Sequence, residues 1–268
     1  MLFSDLTLSR RLERAEGRAC AQFAAARRRL FPDSGAEWRE YDGAFAVFDG
    51  VDSPVTQSFG LGIFEQLNAA SLDTIERFLI ERGAPVLHEI SPLAGVAALA
   101  LLCTRNYIPV EISSVLYQSI ERPTGDGPKN IRVRVTCPEE AQLWTQINAR
   151  GWGHEHPELL DFLLGHGVLL AARDNSLCFL AEIDGVPGAA GGLCINDGVA
   201  LFSGAATVPE LRRRGLQAAL LRERLRCAFE HGCDLAMMAA EAGSESQRNA
   251  ERNGFRIAYI RTKWRLCR

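Results

Sequence analysis

The chain has 268 residues, about twice the usual domain size, which favours two domains and excludes a single small one. A hydrophobic fraction of 47% beside 24% charged residues excludes a disordered chain. Thirty Lys and Arg against 33 Asp and Glu, a net charge of -3, leave no overall positive field to hold nucleic acid or an acidic membrane, so any basic site must be local.

Taken in chain order, Leu8, Leu12, Ala15, Ala19, Phe23, Ala26 and Leu30 recur at steps of three or four, which predicts a long amphipathic helix. Its Arg residues between positions 10 and 29, interrupted by Glu13 and Glu16, read as a solvated face rather than a nucleic-acid arm. Arg10, Arg11, Arg14 and Arg18 also break the apolar run that a secretory signal needs, and no apolar stretch approaches the roughly 20 residues of a bilayer crossing. Apolar segments follow at 44–48 and 59–64, then a helix 72–82 closed by Gly83, a strand 86–90, a helix 93–104 and a strand 110–117. The run ERPTGDGPKN at 121–130 has linker composition, which divides the chain into domains 1–120 and 131–268.

Beyond the linker the pattern predicts a strand 131–136, helices 138–148 and 157–171, and strands 177–183, 189–195 and 199–208. Asp184-Gly185 and Asn196-Asp197-Gly198 are hairpin signals between those strands. A helix 209–231, a strand 235–240, a helix 244–252 and a strand pair within 255–266 complete an α+β pattern. A weak repeat joins the halves: Glu81-Arg82-Gly83 before an apolar strand matches Glu230-His231-Gly232, offset by 149, and Asn106-Tyr107 matches Gly254-Phe255 at 148. Eight scattered Cys without a Cys-x-x-Cys pair read as small core residues in a reducing cytoplasm rather than as disulfides or zinc ligands. His154 and His156 have no third ligand near in sequence and are assigned to a polar loop.

The chemistry concentrates at AATVPELRRRGLQAALL, residues 205–221, where a strand runs through Pro209 into an Arg- and Gly-rich turn and a helix. Unpaired N–H groups at a helix start, the helix dipole and a Gly without Cβ make an anion site. Six Arg against one Glu over 212–226 suit a diphosphate.

At these residues the chain resembles the GCN5-related N-acetyltransferase (GNAT) superfamily, whose loop is Gln/Arg-x-x-Gly-x-Gly/Ala. Arg212, Gly215 and Gln217 stand at its three positions, Gln217 in place of the small residue. SQRNAERNGF at 246–255 resembles the family's second motif, a helix ending in Gly-Phe. The resemblance implies two GNAT-like domains, each with a mostly antiparallel twisted sheet flanked by helices, the strands splayed in the second. The first would be a degenerate copy, since the 149 offset places Ile63–Asn68, with neither Gly nor Arg, on the loop.

It further implies acetyl-coenzyme A as co-substrate, without a metal. Ala206, Thr207 and Val208 would bond the pantetheine arm through their backbone, Arg212, Arg213, Arg214, Gly215, Leu216 and Gln217 would cradle the diphosphate, and Asn249 would bond the arm or merely brace its helix. An acceptor amine must lose a proton before it attacks the thioester, and Glu241 and Glu182 are the two candidate bases. The Tyr that many members carry as general acid falls on Ala250, which leaves Tyr259, Ser246, water or an unprotonated thiolate. Trp152 would wall the acceptor cleft. The expected activity is N-acetylation of a small-molecule amine in the cytoplasm, the alternative a coenzyme A-binding sensor or scaffold; neither nucleic acid nor membrane is an expected partner, and the oligomeric state stays open.

Overall fold

A computed structural model of the chain describes residues 3–122, 128–153 and 160–267. Residues 123–127 of the expected linker, His154, His156 and the expected start of the helix at Pro157 lie outside them. The chain forms two compact units, Met1–Gln118 with Met237–Arg268, and Ser119–Ala236.

The first unit opens with α1 (Leu6–Leu30), capped by the Asp5 carboxylate accepting from Leu8 N at 2.9 Å. Its apolar stripe, Leu12, Ala15, Ala19, Phe23 and Ala26, is buried as the periodicity predicts. At Gly17 a Cβ would come within 2.5 Å of the Phe45 ring, so glycine lets helix and sheet meet. Strands β1 (Glu37–Tyr41), β2 (Ala44–Phe48) and β3 (Gln57–Phe59) are antiparallel; α2 (Ala69–Ile80) crosses over to β4 (Leu87–Ile90), which runs parallel to β3. Then come α3 (Gly95–Thr104) and β5 (Tyr107–Ser119). β1 was not expected, because EWREY is mostly polar, and of the apolar segment 59–64 only Phe59 lies in a strand, at the end of β3.

The second unit holds β6 (Ile131–Val135), α4 (Ala141–Gly153), α5 (Leu160–Ala172), β7 (Ser176–Ile183), β8 (Val186–Asn196), β9 (Val199–Thr207) and α6 (Leu216–Glu230). Its sheet, in the order β9-β8-β7-β6, is antiparallel throughout. Asp184-Gly185 and Asp197-Gly198 both have positive φ at each residue, the two-residue turns that the signals predict. The helix expected at 209–231 begins only at Leu216, since Pro209–Leu211 forms a short 3-10 turn and Arg213 takes a left-handed φ of 60°.

The last elements, β10 (Leu235–Glu241), α7 (Glu245–Arg252) and β11 (Arg256–Leu266), return almost wholly to the first unit. The expected strand pair is a single strand: β11 lies antiparallel between β4 and β5, its bends absorbed by two register shifts. Residues 237–268, expected within a domain 131–268, therefore complete the sheet of the first half.

The repeat has a geometric counterpart. Gly83 and Gly232 both close a helix at positive φ, and each is followed by an N–H bonded five residues back, Ala84 to Leu79 O and Cys233 to Ala228 O. Asn106 and Gly254 share the left-handed turn into the next strand. Cys178, Cys194, Cys227 and Cys233 are buried, but Cys103, Cys137 and Cys267 are exposed, against the reading of all eight as core. Among the described residues no helix is long and apolar enough to cross a membrane.

Candidate cofactor-loop site

The end of β9 is shaped by a β-bulge. Ala206 faces Ala190 and Ser203 faces Gly192, so Gly204 and Ala205 together oppose Gly191. Gly204 has a φ of 58°. One face of α4 satisfies this irregular backbone: Trp144, fully buried, donates Nε1–H to Phe179 O at 3.1 Å and to Gly191 O at 3.3 Å. One turn on, Asn148 donates Nδ2–H to Gly204 O. One more turn brings Gly151 against the strand, where a Cβ would stand 2.6 Å from Ala206 Cβ and 3.1 Å from Thr207 N. The segment 148–153 is thus the last part of α4, with Trp152 half-buried in it, rather than an inter-helix loop.

Beyond the bulge Val208 N donates to Gly188 O at 2.9 Å. Antiparallel alternation then turns Ala206 toward β8 as well, as its pairing with Ala190 requires, and turns the backbone of Thr207 to the other edge. Of the three expected strand contacts, Thr207 alone presents its backbone away from β8. Its carbonyl accepts from Arg212 Nε at 3.3 Å, and Arg212 Nη2 reaches Gly151 O at 2.9 Å. Gln217 Nε2 donates to Thr207 Oγ1 at 2.8 Å. The side chains of Arg212 and Gln217 therefore brace the strand end. The bulk of Gln217 at the third motif position is accommodated by that bond.

What the loop presents outward is backbone. The first bond of α6 runs from Ala219 N to Gly215 O at 3.0 Å; Arg212 and Arg213 form a turn that engages the Arg214 N–H, and among the described residues no acceptor takes the N–H groups of residues 215–218. Gly215 is the N-cap at φ 87°, and a Cβ there would meet only Ile131 Cδ1, at 3.5 Å, so the backbone conformation rather than crowding calls for glycine. Arg213 and Arg214 are exposed beside it, Arg214 3.8 Å from Asp184; Leu216 is buried and anchors the helix. Gly188 makes room for that anchor, since a Cβ there would meet Leu211 Cδ1 at 2.4 Å and Leu216 Cδ1 at 3.0 Å.

The expected acid-base residues meet different fates. Glu182 is buried and accepts from Arg134 Nε at 2.8 Å, while the rest of that guanidinium holds Glu140 with two bonds of 2.6 Å. The Arg134 hydrogen bonds push the Glu140 carboxyl down to about 2. Tyr259 is buried and donates its hydroxyl to Glu13 Oε1 at 2.8 Å, in a cluster where Arg261 joins Glu13, Glu16 and Glu89. Burial drives the Tyr259 hydroxyl well above its ordinary range, with the Glu13 charge adding to it. Glu241 ends β10, and its exposed carboxylate has no hydrogen bond among the described residues. Asn249 is exposed on α7, its backbone carbonyl taken by Asn253 Nδ2 at 2.7 Å. Ala250, at the position of the expected Tyr, faces inward at 1% exposure. Cys178 is raised to about 11 by burial, which leaves a thiol. Among the described residues no group of three or more His, Cys, Asp or Glu is placed to hold a metal.

Residues 141–255 match the model of the acetyltransferase (GNAT) family. The chain carries a GNAT domain. That match runs from α4 through the N–H row to α7, and the family is one of acyl-coenzyme A-dependent acetyl transfer. Among solved structures the chain is similar to a GCN5-related N-acetyltransferase from Kribbella flavida, at 18% identity and a TM-score of 0.66, over 92% of this chain and 95% of that one. It is similar over 100% of its length, and 98% of the other, to a tandem GNAT protein from the clavulanic acid biosynthesis pathway, at 12% identity and a TM-score of 0.56. A GCN5-related N-acetyltransferase from Sphaerobacter thermophilus matches at 17% identity and a TM-score of 0.55, over 78% of this chain and 71% of that one. At such identities the likeness is one of fold, and the tandem arrangement fits it. No curated protein matches the sequence.

Proposed function

We propose that the GNAT domain takes acetyl-coenzyme A and acetylates the amine of a small molecule. The observation that carries this reading is the row of unbonded N–H groups over residues 215–218, curled by Arg213 and Gly215 at the start of a 15-residue helix. Such a row fits a diphosphate, which offers the acceptors those groups lack. Arg213 and Arg214 add positive charge at its rim, and the Thr207 N–H, which turns away from β8, is the group of β9 that serves an amide-bearing arm.

Acetyl-coenzyme A supplies an activated acyl group: the amine nitrogen bonds the acyl carbon as the carbon–sulfur bond breaks. Glu241 takes the proton from the amine in this reading, because its carboxylate is exposed and uncommitted, whereas Glu182 is committed to Arg134. Water protonates the departing thiolate, since Ala250 has no acidic group and the Tyr259 hydroxyl is given to Glu13. Eight free cysteines suit a reducing cytoplasm.

A screen for coenzyme A release against amino acids, polyamines, amine-bearing antibiotics and peptides tests the reading. Release with a small amine is expected, and Glu241→Gln should slow it about 10²-fold while acetyl-coenzyme A still binds. Release with peptides alone would overturn the small-molecule acceptor. Binding without release in any class would establish the sensor, the reading that the buried Ala250 favours.

A further inference from the structure

The first unit holds a cavity of about 1230 Å³ that the acetyl-transfer reading does not use. Arg10, Arg11 and Arg14 of α1 line one side; Glu40 and Asp42 of the β1–β2 hairpin and Glu65 of the following loop also line it. Arg10 and Arg14 are four residues apart and share a helix face. Arg10 is pinned, Nε to Ile63 O at 2.7 Å and Nη2 to Phe64 O at 3.2 Å. The Arg14 guanidinium carbon sits 4.6 Å from the centroid of the Phe64 ring, a cation–π contact that holds the group at the cavity wall. Among the described residues Arg14, Glu40 and Glu65 make no ion pair or hydrogen bond through their side chains, while Asp42 accepts from Ser71 Oγ at 2.7 Å. Arg14 on one side and Glu40 and Glu65 on the other thus line one open space without neutralising one another.

This arrangement disfavours a diphosphate. The segment Ile63–Asn68 corresponds by the 149 offset to the loop 212–217, but Asn68 Oδ1 already accepts from Ser71 N at 3.0 Å, and three carboxylates would face the phosphates. A ligand with a carboxylate at one end and an ammonium at the other satisfies both sets. The volume exceeds the usual small-ligand range of about 300–1,000 Å³, so a free amino acid would leave most of it empty. We propose that this cavity binds a zwitterion of short-peptide size, its carboxylate on Arg14 and its ammonium on Glu40 and Glu65. The site does not depend on acetyl transfer.

Calorimetric titration of the full chain at low ionic strength, with trialanine, N-acetyl-trialanine and trialanine amide, tests it. Trialanine should bind, and blocking either end should weaken binding at least about tenfold, as should Arg14→Met, which keeps the aliphatic stem. Gly215→Glu should bind trialanine as wild type does. No binding of trialanine, equal binding of the blocked peptides, displacement by coenzyme A, or loss in Gly215→Glu would each overturn the proposal. Should Arg14→Met fail to fold, the three peptides on the wild-type chain decide.

Discussion

The stretch ahead of α2 and the stretch ahead of α6 stand at the same point of a shared element order, yet they treat their helix starts in opposite ways. Before α2 the chain satisfies itself: Asn68 caps with its side chain and Asp42 takes Ser71 Oγ. Before α6 the N-cap is Gly215, without a side chain, and the N–H groups of residues 216–218 that follow have no acceptor among the described residues. The first unit closes its polar groups elsewhere too. His88 bridges Ser58 and Tyr107 at 2.8 Å on each nitrogen, Tyr107 passes the chain to Glu76, and Arg105 ends it. One helix start is thus filled from within, while the other leaves its first N–H groups without an acceptor among the described residues.

That contrast can be broken in graded ways. The largest effect is expected where the first unit buries charge. Arg261→Met leaves Glu13 and Glu89 buried without their principal cation, and should cost about 3–5 kcal/mol in denaturant unfolding. A cost below about 1 kcal/mol would mean that the acids adapt freely.

The His88 chain gives a pH signature. Burial holds the ring at about 3 against an ordinary 6.5, so the folded state keeps it neutral while the unfolded chain takes up a proton below 6.5. Its contribution is complete above pH 6.5 and is lost as pH falls toward 3, by up to about 1.4 kcal/mol per pH unit. Unfolding curves of wild type and His88→Gln should converge by that amount as the medium is acidified. Parallel curves would contradict the assignment.

Smaller still, Asn68→Ala should cost about 1 kcal/mol of stability through the lost cap while acetyl-coenzyme A binds unchanged. Arg213→Ala should do the reverse. It should leave unfolding unchanged and weaken acetyl-coenzyme A about fivefold, the effect of one exposed charge beside a backbone site.

Much of this was legible where the local signal is chemical. Asp184-Gly185 and Asp197-Gly198 specify their turns because only residues tolerant of positive φ fit them, and Gly215 marks the loop for the same reason. Asp42-Gly43, with φ of 51° and 79°, is the same signal, and would have revealed the hairpin of β1 and β2 despite the polar sequence of β1. What stayed hidden depends on distant partners. Nothing in RIAYIRTKWRL shows that it pairs with β4 and β5, some 150 residues earlier, since strand pattern fixes a face and not a neighbour. Glu182 and Tyr259 read as free acid-base groups until Arg134 and Glu13 come beside them. Arg212 and Gln217 were expected to face the ligand, and instead hold Thr207 and Gly151.

The central claim is that the N–H row before α6 takes the diphosphate of acetyl-coenzyme A, and titration calorimetry of wild type beside Gly215→Glu tests it most directly. The structure leaves space around position 215, so the variant bears the strain of a non-glycine residue at φ 87° but meets only Ile131, and its circular dichroism should match wild type. The side chain would stand beside the N–H row and set a carboxylate against the phosphates. The account predicts heat of binding for wild type and none for Gly215→Glu. A folded Gly215→Glu protein that binds acetyl-coenzyme A like wild type would contradict it.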